Sequence, residues 1–155
     1  DRLYEAAGKL TDTSSSKSLF KKADKVTNDI TSAVKDYVKN YNSLLEEAAD
    51  TTNSKVTGKV SFMTGQTNAY KSSLEKVGIT INSDKTLSID EDTFKKSDIS
   101  DVKKLFNGSG SMAYQTFVRA SDISSAAENA STSVTSYGAD GMYNNYYNSA
   151  YNWYL

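Results

Sequence analysis

Apolar residues spaced alternately four and three positions apart are the feature that most constrains how this chain of 155 residues folds. The first series comprises Ile30, Val34, Tyr37, Tyr41, Leu44 and Ala48. The second series comprises Val56, Val60, Met63, Thr67, Tyr70, Leu74 and Val77. This spacing places the side chains of each series along one face of an α-helix. The sequence therefore predicts two long helices, the first over about 17–49, that pack as an antiparallel pair across a polar break at 50–54.

A third long helix is predicted over 111–134, from a series with the same spacing but mostly small side chains. Its members are Ala113, Phe117, Ala120, Ser124, Ala127, Ser131 and Val134. Short helices are predicted within 1–16, over 91–96 and over 98–106. Because the chain contains no proline, nothing in the sequence forces these helices to kink.

A β-hairpin is predicted at about 79–89, between the second long helix and the short ones. Apolar residues alternate with polar ones on both sides of a polar turn at 82–86. Pairing Ile81 with Leu87 and Ile79 with Ile89 places all four apolar side chains on one face of the hairpin.

The predicted fold class is all-α. It is an antiparallel helical bundle of three long helices and several short ones, with one inserted β-hairpin. The predicted domain extends over 1–136 and is followed by a Tyr/Asn-rich C-terminal tail over 137–155, which we expect to pack on the bundle. Since the chain opens at Asp1 without a methionine or a signal peptide, we also expect it to be trimmed from a longer one.

The acidic stretch that follows the predicted turn is the part of the sequence that most resembles a chemical site. An EF-hand loop that started at Asn82 would need glycine at position 6 and glutamate at position 12, and the chain has Leu87 and Thr93 there. The consecutive acids Asp90, Glu91 and Asp92 stand at a helix start, where the helix dipole lowers the pKa of a carboxyl group, which is wrong for a general acid. The sequence therefore predicts a turn and an N-cap at Asp90, with no metal and no cofactor.

Several classes of function are excluded or disfavoured by composition. The chain has no His and no Cys, so Ser-His-Asp and Cys-His catalysis and a zinc-cysteine cluster are excluded. Only carboxylate, Lys or Tyr chemistry remains, and we predict a protein that is not an enzyme. Eighteen basic and nineteen acidic residues give a net charge of −1, which argues against nucleic acid as a partner. No apolar run is long enough to predict a membrane span.

Four lysines near the start of the first long helix form the one basic cluster that could attract an anion. They are Lys17, Lys21, Lys22 and Lys25. On a helix over 17–49 they would share one side, and we interpret them as a solvated helix face rather than as an anion site.

Three segments of the chain resemble, in their order and spacing, the C-terminal region of the bacterial flagellar filament-cap proteins, the hook-associated protein 2 family. The segments are "AVKDYVKNYNSLLEEA" (33–48), "LEKVGITINSDKTLSIDEDTFKK" (74–96) and "DVKKLFNGSGSMA" (101–113). The positions that match the family pattern are Tyr37, Val38, Tyr41, Asn42, Val77, Gly78, Ile79, Asp84, Leu87, Asp90, Phe94, Val102, Leu105, Phe106 and Gly108. The resemblance covers about 26–130.

The resemblance implies a helical bundle with one β-hairpin and no catalytic residue or cofactor. It also implies an exported structural protein that caps the growing filament and helps flagellin subunits to fold into place. Flagellin or another axial protein would then be the partner, and the location would be extracellular, on the flagellum. A cytoplasmic location is the alternative. Self-association into a homo-oligomer is left open by the sequence.

Two departures from the family pattern bear on these expectations. Lys85 stands where the family usually has glycine after the turn aspartate, so either Lys85 takes a strained backbone conformation or the turn differs. Family members continue into a long C-terminal coiled-coil helix, which the Tyr/Asn-rich tail replaces here. We therefore expect a shortened relative that lacks this helix and keeps either the cap function or another binding role.

The tail supports two interpretations. In the first, its aromatic residues form the interaction surface of a secreted or cell-surface binding module, because aromatic faces stack on sugars or pack on protein partners. The residues of this candidate surface are Tyr143, Tyr146, Tyr147, Tyr151, Trp153 and Tyr154. In the second, which we favour, the same rings fold back and fill the groove that the missing helix leaves on the bundle.

Overall fold

The computed structural model describes residues 2–14, 16 and 18–135, with side chains up to residue 130. The order of its elements is α1 (Arg2–Thr11), α2 (Asn28–Ala49), α3 (Ser54–Asn68), α4 (Lys71–Lys76), β1 (Ile79–Ile81), β2 (Leu87–Ile89), α5 (Glu91–Lys96), α6 (Ile99–Phe106) and α7 (Met112–Thr135). The long helices are α2, α3 and α7, and the two strands form a single antiparallel hairpin within this part of the chain. This architecture confirms the predicted all-α bundle with one inserted β-hairpin.

Helix α7 forms the centre of the bundle, because α1 packs along one side of it and α3 along the other. The amide of Gln115 on α7 donates to the hydroxyl of Tyr70, which follows α3, at 2.7 Å. One turn further along α7, Arg119 Nε donates to Gln66 Oε1 at 3.0 Å. As the residue numbers rise along α7, those of the hydrogen-bond partners fall, so α3 and α7 run antiparallel.

Helix α1 also runs antiparallel to α7. Gly8 lies against the ring of Phe117, and Thr13, just after α1, lies beside Gly108, just before α7. Helix α2 packs mainly on α1. It runs parallel to α7, because Tyr37 contacts Thr116 and, further along both helices, Ala48 lines one cavity with Ala127. A buried hydrogen bond of 2.8 Å between the hydroxyl groups of Tyr37 and Thr116 fixes the register of α2 beside α7.

The core is one continuous cluster of buried side chains that extends from α1 to α7. Aromatic rings form its centre: Phe106 packs edge-on against Tyr37, with ring centroids 5.7 Å apart, and against Phe94, at 6.5 Å. All three side chains are fully buried. Since Phe94 and Phe106 belong to α5 and α6, the short helices that follow the hairpin are tied to the same core as the long ones.

The hairpin has the predicted register, with Ile79 opposite Ile89 and Ile81 opposite Leu87. Ile79 and Leu87 are buried, and Ile81 and Ile89 are half-buried against the same core. Thr80 and Ser88, which alternate with them, are exposed. The hairpin therefore packs one apolar face on the helices, as its sequence predicts.

The start predicted for the first long helix is wrong, because α2 begins at Asn28 and not near residue 17. Thr27 has extended backbone angles, and its hydroxyl accepts a hydrogen bond from the amide of Ile30 at 3.2 Å, so it is the N-cap. The preceding segment folds in turns that bury Phe20. Lys103 Nζ of α6 donates to the carbonyl oxygen of Ala23 at 2.8 Å, which holds this segment away from helical geometry.

The helical part of the interpretation of the basic cluster is wrong for the same reason, although the described lysines are exposed to solvent as that interpretation expects. Lys21, Lys22 and Lys25 lie in this non-helical segment, where the spacing of a helix does not apply. Lys17 is outside the described residues.

The second long helix is interrupted once. Helix α3 ends at Asn68 and α4 begins at Lys71, because the chain tightens into hydrogen bonds from Ala69 to Gln66 and from Tyr70 to Thr67. These bonds join residues three apart, which is the tighter 3₁₀ pattern often found at helix ends. The apolar face continues through the interruption, since Thr67 and Leu74 on either side are both buried.

The predicted inner face of α7 is correct only in part. Ala113 and Ala120 are buried, but Ala127 is exposed. Thr116 and Ile123, which the prediction omitted, are buried. The first half of α7 contacts helices on both sides, so its buried face is wider than a strict four-three series. Near Ala127 the buried face is narrower. The side chains of the remaining predicted members, Ser131 and Val134, lie outside the described part.

Candidate interaction surface

The polar side chains of the hairpin turn stabilise the turn itself. The Asp84 side chain accepts hydrogen bonds from the backbone amide of Thr86 at 3.0 Å and from its hydroxyl at 2.6 Å. These bonds stabilise the charged carboxylate, so the pKa of Asp84 is lowered. The side-chain amide of Asn82 donates across the turn to the hydroxyl of Thr86 at 2.9 Å. The predicted turn is confirmed, and its polar side chains are engaged in building it.

The acids that follow the hairpin serve helix α5. Asp90 caps the helix by accepting from the amide of Thr93 at 2.9 Å, and this hydrogen bond lowers the pKa of Asp90. Glu91 forms an ion pair with Lys35 of α2, and this contact lowers the pKa of Glu91. Both groups are therefore held in the charged form that a general acid must avoid. In the described ranges, no three residues among His, Cys, Asp and Glu lie together as a metal site would require.

The structure instead reveals a surface of large apolar side chains on α1, α3 and α7. Among the described residues, the large hydrophobic side chains classed as exposed are Tyr4 (39%), Phe62 (55%), Tyr114 (37%) and Val118 (36%). Phe117, which is half-buried, lies between Tyr4 and Tyr114. We call these five residues the aromatic band. Exposed apolar groups that cluster on one face, rather than scatter singly, are typical of protein interaction sites.

Contacts between helices hold the rings of the aromatic band in place. Tyr4 of α1 stacks on Phe117 of α7 with ring centroids 4.2 Å apart, and Tyr114 lies 6.0 Å from Phe117. On the other side of α7, the guanidinium of Arg119 lies 4.8 Å from the centre of the Phe62 ring, within the range of a cation–π contact. The band is therefore a preorganised surface, and its rings lose little rotational freedom when a partner binds.

Arg119 is itself fixed at two points. Its Nε donates to Gln66, and its other guanidinium nitrogen lies 3.1 Å from a carboxylate oxygen of Asp122. The charge of Arg119 is thus neutralised by Asp122 and its flat face is presented to Phe62. The polar residues beside the aromatic band keep it from being a purely apolar patch.

The aromatic band was not predicted from the sequence, and the candidate surface that was predicted consists of other residues. Residues Tyr143, Tyr146, Tyr147, Tyr151, Trp153 and Tyr154 are outside the described residues, so their placement stays a prediction. One sequence signal could have indicated the band: Tyr114 and Val118 are four positions apart and fall outside the predicted inner face of α7. Phe62 is a similar case, because it is a large apolar residue outside the predicted series and stands next to the buried Met63.

The helices of the described chain do not reach the combination of length and apolar character that crossing a membrane requires.

Comparison with known proteins identifies a family. The family model described as "Flagellar hook-associated protein 2 C-terminus" matches residues 54–152, more than half of the chain. Neither the curated proteins nor the solved structures contain a match. The matched range starts at α3, later than the resemblance at 26–130, and extends into the aromatic tail.

Proposed function

Because this chain belongs to the family of the flagellar hook-associated protein 2 C-terminus, we propose that it is a structural, protein-binding domain of the bacterial flagellum and acts without catalysis. Its place of action in this proposal is the flagellar filament, outside the cell. Its partner is flagellin or another axial protein, and the function is that of a filament cap or of an assembly factor that guides such subunits.

The observation that carries this proposal is the aromatic band. An apolar helical face left exposed for a partner is the feature that separates a flagellar binding role from a self-contained bundle. Tyr114 and Val118 stand one turn apart on α7 and are exposed, and Phe62 of α3 is exposed against Arg119 of α7. A helix of a partner can lay its own apolar residues along such a row, which is the helix-in-groove mode of recognition.

Aromatic side chains are also the residues expected at the energetic centre of an interface, since they bury a large area at a small entropic cost. The acidic residues of the hairpin region are occupied by turns, caps and ion pairs, as described above. The band is therefore the described surface best suited to bind a protein, and an axial protein is the partner that the family indicates.

Binding of the whole chain to purified flagellin from the same cells tests the proposal directly. We expect micromolar or tighter binding by calorimetry, and a loss of affinity of about tenfold or more for Tyr114→Ala with Val118→Ala. A matched control replaces two exposed residues of the hairpin, Thr80→Ala with Ser88→Ala, and should bind as the unaltered chain does. Equal affinity of the band variant and the control would refute the role of the band.

Fractionation of cells tests the location. Sheared filaments, medium, envelope and cytosol are probed with an antibody to the domain. Recovery with the filaments is expected, and recovery only in the cytosol would overturn the proposed flagellar role even if the purified proteins bind one another.

A further inference from the structure

The side of the bundle where α3 meets α7 holds an open groove beside Phe62. Its volume is about 420 Å³, which is within the range of about 300–1,000 Å³ that is usual for binding sites. We call it the basic groove. The residues that line it include Lys55, Gly58, Lys59, Phe62, Arg119 and Asp122. Since Phe62 belongs to both surfaces, a partner that lies on the aromatic band also meets the charges of the groove.

The apolar part of the basic groove is Phe62, with the bare backbone of Gly58 one turn before it. The Phe62 side chain is 55% exposed, the most exposed of the large hydrophobic side chains that are described. The guanidinium of Arg119 lies over its ring at 4.8 Å. A Cβ at Gly58 would meet nothing within 4 Å, so α3 can be approached closely at this point. An apolar side chain of a partner therefore has a place to pack, on Phe62 and above Gly58.

The charged part of the basic groove is positive. Lys55 and Lys59 are one turn apart on α3, and both are exposed. Within the part of the chain that the structure describes, neither lysine forms an ion pair. With Arg119 and its partner Asp122, three cations and one carboxylate leave the groove a net charge of +2 (3 − 1). The whole chain has a net charge of −1, so the positive groove is a local feature of this surface.

The spacing of these groups fits an α-helix as the occupant. Lys55, Lys59 and Phe62 stand at intervals of four and three residues, so they share one face of α3 that is about 10 Å long. A helix that lies along α3 presents its own side chains at the same intervals, as in a coiled coil. Two acidic residues three or four positions apart on that helix would reach the two lysines, while an apolar residue beside them packs on Phe62.

The C-terminal segment of the chain does not have the chemistry of this occupant. Asp140 is the last charged residue of the sequence, so the aromatic part of the segment, 143–154, has no acidic side chain for Lys55 and Lys59. The free charges of the groove therefore point to a helix of another protein.

On the basis of the proposed function, we propose that the basic groove is the docking site for an amphipathic α-helix of an axial protein, and that acidic residues line one edge of this helix. The helix places an apolar side chain on Phe62 above Gly58, and its acidic residues pair with Lys55 and Lys59. Exposed charge pairs of this kind mainly speed association and select the partner. The aromatic rings, which are well packed, supply most of the affinity.

Two synthetic peptides test the chemistry of the occupant without any flagellar protein. Both are alanine-rich helices with two leucines three positions apart; one carries glutamates along one edge and the other carries lysines there. We expect the unaltered full chain to bind the glutamate peptide about tenfold or more tightly than the lysine peptide at low salt, by fluorescence anisotropy of the labelled peptides. Lys55→Glu with Lys59→Glu should reverse this preference, because the glutamate peptide then meets like charges.

A second pair of lysines provides the matched control. Lys21→Glu with Lys22→Glu changes the net charge equally, at two exposed positions in the segment before α2. This control should keep the preference for the glutamate peptide. A reversal in the control as well would show that only net charge matters. That result, equal binding of the two peptides to the unaltered chain, or no binding of either would each overturn the proposal.

Gly58→Gln tests the close approach and separates binding from stability. Glutamine is a better helix former than glycine, so the denaturation midpoint of this variant should move to higher denaturant. Its affinity for purified flagellin should nevertheless fall about tenfold, because the longer side chain covers Phe62. Ser32→Gln, at an exposed position of α2, is the control and should leave the affinity unchanged. Equal affinity of the two variants for flagellin would contradict docking in the groove.

The combined results distinguish a failure of this inference from a failure of the proposed function. Weaker flagellin binding in Tyr114→Ala with Val118→Ala, but not in Gly58→Gln, would keep the proposed function and overturn the basic groove. Selective binding of the glutamate peptide without any binding of flagellin would support the groove and refute flagellin as the partner.

Two measurements on the chain alone test other occupants of the groove. Faster or slower sedimentation of Gly58→Gln than of the unaltered chain would mean that a second copy fills it. A shift in the emission of Trp153, the single tryptophan, in the same variant would mean that the C-terminal segment fills it. Either result would overturn the proposal, and we expect neither.

Discussion

The side-chain amide of Asn42 on α2 pairs in both directions with the backbone of Leu87 in β2. Its nitrogen donates to the carbonyl oxygen of Leu87 at 2.9 Å, and its oxygen accepts from the amide of Leu87 at 2.8 Å. The amide thus takes the place of a third strand at the open edge of the hairpin. A two-stranded hairpin is marginally stable alone, so this pair and the apolar face beneath it hold the hairpin on the bundle.

Replacing Asn42 should therefore destabilise the domain. Asn42→Ala leaves both backbone groups of Leu87 without these partners, and we expect a loss of about 1–3 kcal/mol in the free energy of unfolding. Asn40→Ala is the control, because the amide of Asn40 donates to Asp36 within its own helix at an exposed position. Chemical denaturation of both variants gives the comparison, and similar losses would contradict the role of the Asn42 pair.

Glycine is required at position 78 and dispensable at position 65. Gly78 has φ +78, and a Cβ there would lie 2.8 Å from the Cβ of Thr93. Gly78→Ala therefore combines a left-handed backbone with a steric clash and should lower the free energy of unfolding by about 2 kcal/mol or more. Gly65 lies in α3 with open space around it, so Gly65→Ala should raise that free energy by about 0.5–1 kcal/mol. Thermal melts in which both variants change the stability in the same direction would refute this interpretation of the two glycines.

The hairpin turn should become more stable when Lys85 is replaced by glycine. Lys85 has φ +72 and is the one non-glycine residue with positive φ among those described. Of the two expectations, a strained Lys85 or a different turn, the strained backbone is therefore the one that is met. Lys85→Gly should raise the free energy of unfolding by about 1 kcal/mol, since glycine adopts this conformation without the clash of a Cβ. Lys85→Ala removes the charge and keeps the strain, so it should change stability little. An equal gain in both variants would assign the effect to the charge instead.

The capping carboxylate of Asp90 should make stability depend on acid pH. Its hydrogen bond from Thr93 lowers its pKa in the folded state below that in the unfolded chain. Its contribution is therefore present above the unfolded pKa and is lost as the pH falls through the folded one. Asp90→Asn keeps an acceptor at the cap and should match the original chain near neutral pH but lose less stability on acidification. Asp90→Ala removes the acceptor of the cap and should lower the free energy of unfolding at neutral pH.

Denaturation curves from neutral pH to pH 3 distinguish these variants of Asp90. A parallel decline of the original chain and Asp90→Asn would show that other groups govern the acid response.

The parts of the fold that sequence reasoning predicted correctly depend on local periodicity. The register of Ile79 with Ile89 follows from alternation over a few residues, and the Asp90 cap follows from its place before a helix. The start of α2 could not be predicted in this way, because the segment before it is held by Lys103, which is distant in sequence. The local pattern of residues 17–27 is compatible with a helix, but the tertiary contact with Lys103 holds this segment in a non-helical conformation.

The candidate site was harder to predict than the fold. Tyr114 and Phe117 lie on one helix, but whether each is covered depends on where α1 and α3 pack. That arrangement follows from the three-dimensional packing of helices distant in the chain and has no local signal. A surface of this kind is recognised by what the neighbouring helices leave uncovered.

The stacking of Tyr4 on Phe117 joins the beginning of the described chain to its last helix, and this has a consequence for the order of folding. Contacts that close a long stretch of chain form slowly, because the entropy of loop closure must be overcome first. The hairpin and its flanking helices, 71–106, are joined largely by contacts between neighbours in sequence, whereas α1 completes the burial of Leu3, Ala7 and Leu10 only when α7 packs on it beside α2. Pulse-labelled hydrogen exchange should therefore protect amides of 71–106 before those of α1. Within the described chain, the core is therefore complete only when its first and last helices have met.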